Sequence, residues 1–259
     1  MTSLRSEWMV VGGARIHARV SEPTDRQLPA VVLVHGLSVS SRYLVPLGER
    51  LAADHRVFAP DLPGFGLSDK PPAALDVPAL AVVLEQWLDA RGVGVAVLVG
   101  HSLGCQIAIW TAARSPRRVS ALALFAPTID SGSRSVAGQG VRLLLDAVRE
   151  PIPLVLIQAR DYLRAGLPRT LRTLRFAVVD EPERRLPLVR VPSLVARGSR
   201  DPLVSASWAG EVARLLPDAR TVTIERVAHA VPFSAPETCA DLIRELALRV
   251  PRGPDAGDH

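Results

Sequence analysis

The chain has 259 residues, 48% hydrophobic and 22% charged, which suits one large globular domain or one carrying a small insertion and excludes a disordered or fibrous protein. Net charge is +5 and Lys70 is the only lysine, so the positive charge is almost all arginine; with aromatics at 4% and no nucleic-acid motif, no nucleic acid is expected as partner. Two cysteines, Cys105 and Cys239, are too few for a disulfide framework or a zinc site.

The elements follow in chain order. Residues 8–11 and 14–20 flank Gly12-Gly13 and read as an opening β-hairpin. Residues 30–34 (AVVLV) form an unbroken apolar run, the pattern of a strand covered on both faces. A helical pattern at 43–53, a short strand at 56–59 and a helix at 80–89 come next. A second buried strand is expected at 95–99, a helix at 102–113 and a further strand at 120–125. From 130 to 190 the pattern is helical only, with candidates at 141–149, 154–163 and 170–176 punctuated by Pro151, Pro153, Pro168 and Pro182. Strands resume at 193–196 and 221–224, with helices at 208–216 and 237–248. The Gly/Pro/Asp-rich tail 251–259 is expected to be disordered.

This alternation predicts an α/β fold, a mostly parallel sheet with helices on both faces. The expected division is core 1–129, a helical lid 130–190, core 191–250, then the tail. A lid inserted there covers the sheet's C-terminal edge, where open α/β sheets bind ligands. Met1 to Val11 holds no apolar signal segment, and no apolar run approaches the ~20 residues of a membrane span. A soluble, cytoplasmic protein is therefore expected.

Four stretches carry chemistry. Gly100-His101-Ser102-Leu103-Gly104 follows a strand and precedes a helix. In that context G-x-S-x-G is a nucleophile elbow: glycines two before and two after let the turn be sharp enough to lift the serine hydroxyl above the sheet. The helix behind it points its N-terminus at a developing oxyanion. His35-Gly36-Leu37 follows the strand at 30–34 and reads as the second oxyanion loop, with His35 and Gly36 in support. The backbone N–H groups of Leu37 and Leu103 are the expected oxyanion donors. Asp201, in Gly198-Ser199-Arg200-Asp201-Pro202, lies just past a strand end, with Asp130 as the rival acid. His229 follows the strand at 221–224 and is a better-placed base than His35. The order Ser102, Asp201, His229 gives a nucleophile, an acid that orients the base, and a base.

These motifs together make the chain resemble the α/β-hydrolase superfamily, in the branch of small capped serine hydrolases. The resemblance covers residues 7–128 and 191–249. Asp61-Leu-Pro-Gly-Phe-Gly-Leu-Ser68-Asp69 is similar to the D-x-P-G-x-G-x-S loop of that branch, with Asp61 in a structural role. Haloalkane dehalogenases and epoxide hydrolases share the loop but use an aspartate nucleophile, and Ser102 argues against both. Cys105 and Ala228 stand where the family often has glycine. The resemblance implies an eight-stranded sheet and hydrolysis of a carboxylic ester or lactone through an acyl-enzyme, without metal or organic cofactor. The same triad also serves thioesters and carbon–carbon bonds, and the fold includes non-hydrolytic enzymes and receptors.

Between Ser131 and Arg190 there are eleven Arg against six Asp plus Glu, 11 − 6 = +5, equal to the charge of the whole chain. Two readings stand: solvated helix faces, or attraction of an anionic acyl substrate or carrier.

Overall fold

The computed structural model describes residues 3–21 and 28–250. The expectation for the tail 251–259 lies outside the described residues.

Strands β1 (Arg5–Val11) and β2 (Ala14–Val20) form the hairpin, turning through Gly12 and Gly13 at φ 56° and 83°, angles that disfavour a Cβ. They join β3 (Ala30–Val34), β4 (Val57–Pro60), β5 (Ala96–His101), β6 (Val119–Phe125), β7 (Ser193–Gly198) and β8 (Ala219–Ile224) in one eight-stranded sheet of order β1-β2-β4-β3-β5-β6-β7-β8. The β1–β2 and β2–β4 pairs are antiparallel and all others parallel. Every residue of β3 and β5 is buried, which is why both read as apolar runs.

Helices α2 (Val77–Arg91) and α3 (Leu103–Arg114) pack together, as do α1 (Val45–Leu51) and α9 (Pro236–Leu248). Both α3 and α9 pack on β6 at the centre of the sheet. Helix α7 (Ala206–Leu215) packs on β7 and β8. The chain leaves β3 for β4 on one side and β5 on the other. This opens a crevice beyond the carboxyl ends of β3 and β5, the place where such sheets take ligands.

The 130–190 stretch is helical. It comprises α4 (Val136–Ala147), α5 (Ile152–Ala165) and α6 (Leu167–Val179), with 3-10 turns at Ser131–Ser133, Pro182–Arg184 and Leu186–Leu188. Ser135 caps α4 by accepting from the Gly138 N–H, and Gly166 at φ 82° separates α5 from α6. The insertion leaves from β6 and returns to β7, which pair directly with Leu122 opposite Ser193.

Boundaries shift where caps decide them. The 43–53 helix is instead a 3-10 turn, Ser41–Leu44, followed by α1, because Pro46 has no N–H and opens a helix rather than continuing one. Helix α2 starts three residues earlier than expected, since the Asp76 carboxylate accepts the Ala79 N–H. A one-turn helix, α8 (Val231–Ser234), follows the His229 loop without a periodic signal.

Candidate active site

Ser102 sits between β5 and α3 at φ 56°, ψ −122°, a backbone conformation that costs a non-glycine residue about 1–3 kcal/mol. The flanking glycines are steric requirements. A Cβ on Gly100 would lie 2.6 Å from the Cys105 Cα, and one on Gly104 would lie 2.2 Å from the Val34 carbonyl oxygen. The Ser102 N–H donates to the Phe125 carbonyl at 3.0 Å, tying the elbow to the end of β6. A methyl group on Gly36 would lie 3.2 Å from the Ser102 Cβ, so the 35–37 loop runs directly against the elbow.

The His229 Nδ1 lies 2.9 Å from the Asp201 Oδ2. The second oxygen, Oδ1, accepts the Leu203 and Val204 N–H groups at 2.7 and 3.1 Å. These bonds orient the carboxylate and leave Nδ1–H of His229 as its ring partner. His229 Nε2 is buried and has no hydrogen-bond partner among the described residues. It shares a cavity of about 320 Å³ with Ser102, Leu37, His101 and Tyr43. The Ser102 hydroxyl and His229 Nε2 face one cavity without being bonded to each other, which is common before substrate tightens a site.

Asp130 lies elsewhere. Its carboxylate accepts from the Gly132 N–H and the Ser205 hydroxyl, capping a 3-10 turn. Both ring nitrogens of His35 are occupied: Nδ1 donates to the Gly36 carbonyl and Nε2 accepts the Leu62 N–H, each at 2.9 Å. That use of the ring braces the loop and leaves His35 no free basic nitrogen. Asp61 holds its own loop through the His17 ring and the N–H groups of Ser41 and Leu67.

Four side chains beyond the expected set complete the arrangement. The Tyr43 hydroxyl accepts the Gly36 N–H at 3.1 Å and meets His101 Nδ1 at 2.7 Å. With Tyr43 donating, His101 Nε2–H is left to donate to the His229 carbonyl at 2.9 Å. One chain of bonds thus joins the 35–37 loop, the elbow and the histidine loop. From the insertion, Asp146 Oδ1 accepts the His229 N–H at 3.1 Å, and Glu150 accepts the Ala230 N–H at 2.7 Å. Asp161 accepts the Ser40 hydroxyl at 2.5 Å. A signal for two of them exists in the sequence: Asp146 ends α4 and Glu150 follows it, where the helix dipole disfavours negative charge. Such a local misfit points to a tertiary role.

The electrostatics follow from this packing. Burial lowers the basicity of His229, but Asp201, by charge and hydrogen bond, and then Asp146 and Glu150 raise it to about 9. Burial works to raise Asp201; the imidazole and the two backbone donors hold it below the usual carboxylate range. Burial raises Asp146 to about 6, with Glu150 adding to the rise and the imidazole opposing it. Burial, with the nearby His229, drops His101 to about 3, so it stays neutral. The Cys105 thiol is pushed far up by burial and is no nucleophile at neutral pH. None of the eleven insertion arginines lines the cavity.

A family model described as the alpha/beta hydrolase fold matches residues 29–178. The chain belongs to that family. It is 30% identical over 258 residues to a pimeloyl-[acyl-carrier protein] methyl ester esterase of Xanthomonas campestris pv. campestris, covering 86% of this chain and 96% of that one. It is 28% identical to the dihydrolipoyllysine-residue acetyltransferase component of the acetoin cleaving system of Pseudomonas putida, but spans only 60% of that longer protein. In fold it is similar to a thermophilic esterase from Thermogutta terrifontis, with a TM-score of 0.80, 21% identity and coverage of 95% and 99%.

Proposed function

We propose that this alpha/beta hydrolase cleaves a carboxylic ester or lactone, with Ser102 as nucleophile, His229 as general base and Asp201 as the acid that orients it. The observation that carries the reading is the His229–Asp201 pair at 2.9 Å, whose free Nε2 opens into the cavity that holds Ser102. In the proposed reaction, neutral His229 takes the Ser102 proton as Oγ attacks the acyl carbonyl. The oxyanion is met by the Leu37 and Leu103 N–H groups. The imidazolium returns its proton to the leaving alcohol, an acyl-enzyme forms, and water deprotonated by His229 releases the acid.

The relative named as a methyl ester esterase supports the ester reading, since this chain covers nearly all of its length. A cavity of about 320 Å³ suits a small or medium acyl group. Its one acidic wall residue is Asp146 and it has no arginine, which favours a neutral acyl group over a free carboxylate. The helical insertion acts as a lid in this reading, with residues 130–190 as the unit that moves or is exchanged. Among the described residues no helix is long and apolar enough to cross a membrane. Two unpaired cysteines fit a reducing compartment, and the cytoplasm is the proposed location.

The test is intact mass after a fluorophosphonate probe. One adduct on the wild type and none on Ser102→Ala is the expected result, followed by turnover of a panel of esters, lactones and thioesters. No adduct on folded wild type removes the serine-hydrolase reading. Faster turnover of thioesters than of matched esters replaces the bond assigned here.

A further inference from the structure

The insertion sorts its charge by side. Between residues 136 and 179 the acids are Asp146, Glu150 and Asp161, and all three are buried against the core loops. Arg149, Arg160, Arg164, Arg172 and Arg175 are exposed. The exposed charge between residues 136 and 179 is therefore all positive.

The insertion also exposes apolar surface. Helix α4 exposes Val141, Leu144, Leu145 and Val148, spaced i, i+3, i+4, i+7. Helix α5 exposes Ile152, Leu156 and Leu163, spaced i, i+4, i+11 on one side. A helix normally turns such a stripe inward; here Leu144 is 72%, Val148 83% and Leu163 84% exposed. Contiguous apolar surface of this kind marks an interaction site. Leu144 also lines the Ser102 cavity, and so does Ala159, an exposed α5 residue one turn from Leu156 and Leu163. The two stripes thus flank the mouth of the cavity.

We propose that this face docks on an anionic lipid surface, with the cavity mouth set against it. Charge decides among the occupants. Two copies of the face would bring arginine to arginine with no exposed acid between residues 136 and 179 to meet it. Protein interfaces concentrate their binding in Trp, Tyr and Arg and under-use Leu and Val; these stripes are Leu, Val and Ile without Trp or Tyr. Aliphatic stripes flanked by arginine have the composition of helices that lie in a lipid interface. Arg160 and Arg164, one turn apart on α5, offer guanidinium groups that form no ion pair among the described residues.

Flotation with phosphatidylglycerol and phosphatidylcholine vesicles tests this, using the Ser102→Ala protein so that binding is read without hydrolysis. Binding to phosphatidylglycerol well above phosphatidylcholine is expected. It falls at least tenfold in the triple variant Val148→Ser, Ile152→Ser, Leu163→Ser, and about 30-fold in Arg160→Ala/Arg164→Ala. In the Ser102 background both variants keep wild-type turnover of a water-soluble ester, since none of the five residues lines the cavity. Binding to neither vesicle, or equally to both, overturns the proposal. So does a dimer in sedimentation velocity that the triple variant dissolves, or capture by an acidic acyl carrier protein in place of vesicles. Each outcome leaves the probe-labelling test of Ser102 separate.

Discussion

Replacing Asp146 by Asn keeps a carbonyl oxygen to accept the His229 N–H and removes only the charge. The groups facing His229 are Asp201 from the β7 loop, Asp146 and Glu150 from the insertion, and His101 from the elbow. Two unit charges about 6 Å apart interact by about 3 kcal/mol at an effective dielectric of about 20. That corresponds to about two pH units at 1.36 kcal/mol per unit, and screening at the cavity mouth brings the expected shift to about one. The sign is fixed: a carboxylate stabilises the imidazolium, so its loss lowers the pKa of His229 from about 9. As general base, His229 acts when neutral, so activity rises with pH through that pKa. The assay is kcat/KM for p-nitrophenyl butyrate across pH 5–10. The acidic limb should move down by about one unit in Asp146→Asn, with the plateau kept within about threefold. Asp146→Ala also leaves a buried N–H without a partner, at a cost of about 1–3 kcal/mol, and its plateau kcat should fall about tenfold. Identical limbs for wild type and Asp146→Asn would refute the electrostatic reasoning, whatever the Ala variant does.

Two further outcomes follow from the same network and from the elbow. Tyr43→Phe removes the hydroxyl between the Gly36 N–H and His101 Nδ1; it should cost about 2–3 kcal/mol in urea unfolding and lower kcat more than it raises KM, and an unchanged kcat would make the hydroxyl purely structural. Gly104→Ala places a Cβ 2.2 Å from the Val34 carbonyl oxygen, where only backbone can yield, so Tm should fall by several degrees and probe labelling of Ser102 with it.

The fold was legible because its central strands are buried on both faces. Runs such as 30–34 then have no helical alternative of that length between turn signals. That Ser102, His229 and Asp201 lie near one another was legible because each follows a strand at the same edge of a parallel sheet, so chain order brings them together. Tyr43 was not, and Asp146 and Glu150 showed only as acids misplaced at a helix C-terminus, because the partners of all three are backbone N–H groups 7 to 83 residues away, which leave no mark in the sequence. The arginine excess was legible as a count, while its direction was not: periodicity locates a stripe on a helix but does not say which side meets the core. On α4 and α5 the large aliphatic stripe faces out, contrary to the usual rule.

The insertion starts from β6 and ends on β7, two strands already paired, so the sheet would close without it. Topologically that makes it a cassette, spliced between two adjacent strands of one sheet, although Leu154, Leu174 and Ala177 reach from it into the core. The cassette is nonetheless keyed. Three of its carboxylates, Asp161, Asp146 and Glu150, seat on Ser40, His229 and Ala230, in the two loops that flank Ser102. A foreign cassette lacking those seats would leave the histidine loop without two of its anchors. Any exchange of the insertion in this chain therefore has to carry the seats along with the new outer surface.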